Sequence, residues 1–151
     1  MRAVYTFIVL FAFSALSWAG GNKPYSETAH ALTDIKAATA TAKKGELILV
    51  SFGANWCLNC RRLANHLHEQ PLESWLQNNF KVVKVNIGNW NKNEDAIEAF
   101  DNPIQFGIPA VVLLDHEGNL IKSLPSHDLI PAIHGGADKL KAYLQTAKAE
   151  I

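Results

Sequence analysis

From Glu46 the chain runs ELILVSF, a short unbroken apolar stretch of the kind found in a strand buried on both faces. On either side of it the pattern changes period. From Glu27 to Lys44, Ala31, Ile35, Ala38 and Ala42 recur at helical spacing and Gly45 supplies a stop, which predicts a helix ahead of the main sheet. Downstream, CLNCRRLANHLHEQ places Leu63 and Leu67 four apart until Pro71 breaks or kinks the helix, and Leu72 to Asn78 predicts a further turn or two. FKVVKVNIG then alternates Val83 and Val85 against Lys84 and predicts a second central strand. A loop, Asn89 to Asn93, and a short helix, EDAIEAFD, lead into PAVVLLD, HEGN and LIKSL, an antiparallel hairpin turning at Gly118. GADKLKAYLQTAKA closes the pattern as an amphipathic helix with Leu140, Tyr143 and Leu144 on one face.

The predicted order, α-β-α-β-α-β-β-α, calls for an α/β fold: a central mixed four-stranded sheet with helices on both faces. Its first strand, helix and strand form a parallel unit with a right-handed crossover. No repeat, low-complexity tract or long linker divides the chain. At 151 residues, 48% hydrophobic and 19% charged, it has the material for one compact core. Lys+Arg and Asp+Glu are both 14, so no summed charge draws nucleic acid or an anionic membrane surface.

The opening, MRAVYTFIVLFAFSALSWAGG, changes the picture of where this domain works. One Arg precedes an apolar run from Ala3 to about Leu16, and small residues follow at Ser17 and Ala19. That layout predicts a secretory signal peptide over 1–19, with the domain occupying 20–151 and exported. The run is shorter than the ~20 apolar residues a spanning helix needs.

Export bears directly on the two cysteines, both of which lie in NWCLNC, Asn55 to Cys60. Disulfides persist outside the cytosol, but a bridge across three residues closes too small a loop to constrain the unfolded chain. Cys57 falls where the buried strand ends and a helix begins, so unpaired backbone N–H groups favour its thiolate, the form that attacks a disulfide. Cys60 follows on the same helical face, within reach of a disulfide, and is suited to resolve what Cys57 forms. Arg61 either adds positive charge on that side or is a solvated surface arginine. His66 and His68 point to different sides of a helix and cannot share an ion with both thiols, so no metal site is read here. His30, His116, His127 and His134 are assigned to the N-terminal helix, the hairpin turn and a late loop. Trp75 and Phe80 read as core, and Trp90 reads either as an exposed contact or as a plug over the core.

LILVSFGANWCLNC and GIPAVVLLD, in that order, resemble the central strand, WCxxC active site, cis-proline loop and following strand of the thioredoxin superfamily. The likeness spans roughly Glu27 to Ala149 and is nearest in feel to small exported bacterial members with an FGANWC segment. It implies the thioredoxin fold, with Cys57 attacking, Cys60 resolving and Trp56 flanking them on the binding surface. Pro109 becomes the cis-proline facing the disulfide, and Ile108 offers backbone hydrogen bonds to an incoming peptide. Two departures stand out. Ser51 occupies the position of the family's buried Asp, where a water held by Ser51, or Lys84 on the neighbouring strand, is a candidate substitute in proton transfer. Leu58-Asn59 replaces the Gly-Pro pair that tunes redox potential.

What the resemblance implies is a monomeric thiol-disulfide oxidoreductase of the bacterial periplasm. It would reduce protein or peptide disulfides through a Cys57-Cys60 dithiol-disulfide cycle, need no cofactor beyond that redox-active disulfide, and be recharged by a membrane electron donor. The alternatives are an oxidase or isomerase on the same fold, a copper- or zinc-binding module using both thiolates, and a peptide-binding module without turnover.

Overall fold

The computed structural model describes residues 23–151, so the expected signal peptide lies outside the described residues. An extended strap, 23–30, leads into α1 (Ala31–Thr41), followed by β1 (Leu47–Gly53), α2 (Leu58–His66), α3 (Leu72–Asn79) and β2 (Phe80–Asn86). The chain continues through α4 (Glu94–Ala99), β3 (Ala110–Leu114), β4 (Leu120–Leu124), α5 (Ser126–His134) and α6 (Ala137–Ala149). The four strands form one sheet in the order β2-β1-β3-β4. β1 pairs parallel with β2, opposing Ser51 to Lys84, and antiparallel with β3, opposing Phe52 to Ala110.

Every residue of β1 is buried, as its unbroken apolar run requires of a strand covered on both faces. Alternation then divides its side chains between two cores. Ile48, Val50 and Phe52 join Val83, Val85, Val112, Leu114 and, from the strap and α1, Tyr25, Ala31 and Ile35. Leu47 and Leu49 join Val111 and Leu113 beneath Leu63 and Leu67 of α2 and its C-cap, Leu72 and Leu76 of α3, and Leu140 and Leu144 of α6. Cys57 and Cys60 belong to the first core while Leu63 and Leu67 belong to the second, so the start of α2 sits at the seam between them.

Two expectations need correction. The N-terminal helix begins at Ala31 rather than Glu27, because Ser26 Oγ accepts the backbone N–H groups of Thr28 and Ala29 and holds that segment in a turn. The stretch assigned to a late loop is the helix α5, which carries His127 and His134. Pro131 hid it: proline inside a helix removes one hydrogen bond, but Leu129 and Ile133, four apart, bury completely in the second core and override that cost.

Candidate active site

Between β1 and α2 the chain turns so that Cys57 becomes the N-cap of α2. Its Sγ accepts the backbone N–H of Cys60 at 3.2 Å. An N–H aimed at a sulfur on a helix N-terminus stabilises negative charge there, so opening the bond favours Cys57 as thiolate. The two cysteines are joined as a disulfide, with Cα atoms 5.2 Å apart across one helical turn. Their surroundings differ. Cys57 retains 8% of its surface, whereas Cys60 retains none.

The loop before β3 closes over the same spot. The carbonyl oxygen of Ile108 lies 3.9 Å from Cys57 Sγ, the Ile108-Pro109 peptide is cis, and Pro109 is buried. Trp56 is half exposed, and its Nε1–H donates to the Gly88 carbonyl at 2.8 Å. That bond fixes the indole at the rim, where Trp90 packs against it with ring centroids 6.0 Å apart. Trp90 is itself half exposed, so of its two readings the exposed contact stands and the plug does not. Leu58, next to Cys57, and Phe106, two residues before Ile108, add exposed apolar surface.

The remaining sequence candidates separate. Ser51 is buried on β1 and its hydroxyl lies 3.3 Å from that of Tyr25. Lys84, opposite Ser51, is half-buried and its amine is pushed down by that burial, yet it lines the cleft beside Leu76 and Phe80 and makes no bond to Ser51. Arg61 is half-buried with its Nε buried and unpartnered. His66 bonds to Glu69 and the Ile133 carbonyl, and His68 to Glu73, so both point to other business than the thiols. His134 holds Asn59, the residue before Cys60, through Nε2 at 3.0 Å. Two residues escaped the sequence reading. Tyr25 carries no periodic signal in the strap, and Asn55 was given no role, although it clamps the Tyr25 backbone, accepting from its N–H at 3.0 Å and donating to its carbonyl at 2.8 Å.

The sequence profile of a family described as thioredoxin-like matches residues 30–116. This chain belongs to the thioredoxin-like family. A disulphide isomerase from Xylella fastidiosa is similar in structure with a TM-score of 0.77 and 34% identity, covering 83% of this chain and 97% of that one. More distant likenesses are a Malassezia sympodialis thioredoxin (TM-score 0.51, 19% identity, covering 81% and 86%) and mitochondrial thioredoxin 3 of Saccharomyces cerevisiae (0.50, 18%, covering 82% and 92%). No curated protein matches by sequence. A thioredoxin-like fold whose C-x-x-C pair closes at a strand-to-helix turn is the apparatus of thiol-disulfide exchange, and the protein is a thiol-disulfide oxidoreductase.

Proposed function

We propose that the protein reduces disulfides in exported polypeptides, working in the bacterial periplasm. The observation that carries the order of events in this cycle is the unequal exposure of the two sulfur-bearing residues, 8% at Cys57 and none at Cys60. A substrate disulfide must approach the attacking sulfur in line, and a bulky polypeptide reaches Cys57 alone. In the cycle, Cys57 thiolate attacks one substrate sulfur, the substrate S–S bond breaks, and the other substrate sulfur leaves with the electron pair and takes up a proton. Cys60 then attacks Cys57, the Cys57-Cys60 bond forms, and the second substrate sulfur departs reduced. Two electrons pass from the dithiol to the substrate. An exported dithiol oxidised in this way has to be re-reduced, which supports a dithiol donor at the membrane as partner.

The rim supports an extended, apolar stretch of polypeptide as substrate. Trp56, Leu58, Trp90 and Phe106 offer exposed apolar contacts, and the Ile108 backbone beside Cys57 is available to pair with a passing strand. A second reading, disulfide isomerase, is favoured by the 34%-identical Xylella fastidiosa protein of that name.

Trapping tests the cycle. Cys60→Ala is expected to accumulate mixed disulfides through Cys57, and a Cys60→Ala protein that captures nothing while folded would sink the mechanism. Equilibration with glutathione separates the directions: a reduction potential of about −270 mV supports the reductase, and one of about −120 to −180 mV supports the oxidase or isomerase.

A further inference from the structure

Ser51, Gly53 and Asn55, alternate residues at and just past the end of β1, all serve Tyr25. Asn55 clamps the Tyr25 backbone by two hydrogen bonds, of 3.0 and 2.8 Å. The ring then dives inward until only 1% of the residue is exposed, and its hydroxyl donates to the Cys60 carbonyl at 3.5 Å and lies 3.3 Å from Ser51 Oγ. Gly53 makes room for it. A Cβ there would stand 2.4 Å from the Tyr25 hydroxyl oxygen and 3.0 Å from Cys60 Cβ, so the hydroxyl occupies the space between β1 and the first turn of α2 that any other residue would fill.

Both contacts of this hydroxyl are long for an O–H···O bond, whose usual distance is about 2.7 Å, so with the disulfide closed a buried donor is under-used. Opening the disulfide offers a stronger acceptor on the same residue, since the hydroxyl already reaches the Cys60 backbone and a Cβ at Gly53 would touch both it and Cys60 Cβ. Cys60 is fully buried, and a thiolate there is costly unless a donor meets it.

We infer that the Tyr25 hydroxyl, held in place by Asn55, Ser51 and the space at Gly53, is the buried donor that lets Cys60 ionise and so sets the rate of the resolving step. This rests on the oxidoreductase reading and names a residue within it. Burial pushes the Tyr25 hydroxyl up to about 12, with Ser51 opposing only in part, so it keeps its proton and acts as a donor, not a base. In the step it assists, Cys60 gives its proton to solvent, its thiolate attacks Cys57 of the mixed disulfide, the Cys57-Cys60 bond forms, and the substrate sulfur leaves with the electron pair and is protonated. The other titratable or charged groups on the surrounding elements are few. Cys57 caps the same helix, Arg61 follows Cys60, Lys84 stands opposite Ser51 without bonding to it, and Glu27 in the strap is held by Lys92 and Asn55.

Reacting the reduced full-length protein with a nitrothiobenzoate disulfide in stopped flow tests this, because attack by Cys57 and resolution by Cys60 each release one coloured thiolate. In Tyr25→Phe the rate of the second release relative to the first is expected to fall about tenfold at neutral pH, and its pH midpoint to rise by about one unit. Gly53→Ala, which displaces the hydroxyl without deleting it, is expected to give the same signature more weakly. A second release with unchanged ratio and pH midpoint in either folded variant would overturn the inference. If the unsubstituted protein releases no thiolate at all, the oxidoreductase reading fails instead, and the two failures are told apart.

Discussion

The two ends of one helical turn live in different solvents. Around Cys57 the surface is apolar but open, with Trp56, Trp90, Leu58 and Phe106 each more than half exposed. Around Cys60 there is no exposure, and the buried Tyr25 hydroxyl, itself beside Ser51, reaches the Cys60 carbonyl. Three residues of separation thus divide a motif into a half at the rim and a half that faces the core. Chemically equivalent thiols become unequal through what surrounds them, the helix N-terminus and rim for one and a buried donor for the other.

The sharpest way to break this comparison is at the thiols. Cys57→Ser is expected to abolish disulfide reduction, a loss beyond about a thousandfold in an insulin-type turbidity assay, whereas Cys60→Ala should stop turnover but still form mixed disulfides visible on non-reducing gels. If the two variants behave alike, the division between them is wrong.

Next in size is the packing of Tyr25. Tyr25→Ala empties a fully buried aromatic site and is expected to cost about 3 kcal/mol in urea unfolding, while Tyr25→Phe keeps the ring and should cost no more than about 1 kcal/mol. Equal losses in the two would place the whole contribution in the hydroxyl.

Alkaline pH probes the same residue. Its hydroxyl is raised from 10.0 to about 12 in the folded protein, so the folded state holds that proton more tightly than the unfolded one. The associated stability is therefore complete below pH 10 and is lost as the pH climbs toward 12. Tyr143 shifts in the same direction and contributes to the same fall. Urea midpoints measured across this range should decline less steeply in Tyr25→Phe, and parallel curves would remove Tyr25 from the account.

Rim substitutions should act on affinity rather than on fold. Trp90→Ala or Phe106→Ala is expected to raise KM for an unfolded protein substrate about three- to tenfold, leaving reduction of a small disulfide and thermal stability within experimental scatter. The smallest effect belongs to His134→Ala, which frees Asn59 from its 3.0 Å bond and should change exchange rates by no more than about threefold.

Much of this architecture could be read along the chain because its signals are local. The continuous apolar run of β1, the alternation in β2 and the hairpin at Gly118 named their elements, and the strand-to-helix position of Cys57 marked the site. α5 was missed because Pro131 speaks locally against a helix and the burial of Leu129 and Ile133, four apart, speaks for it only once the sheet is present. Lys84 was placed on the strand next to Ser51, and the register sets the two opposite each other, but register says which residues stand opposite, not which bond, and the Ser51 hydroxyl turned to Tyr25.

By itself, then, the sequence determined the strands, most of the helices, the family and the strand-to-helix placement of NWCLNC, since hydrophobic period and motif spacing act over a few residues. Only the tertiary structure decided what Cys60 faces. Tyr25 lies 35 residues from Cys60, and nothing in the strap announces it. Its hydroxyl arrives there because Gly53 has no side chain and Asn55 holds the backbone, two conditions that take effect when strap, strand and helix are packed together.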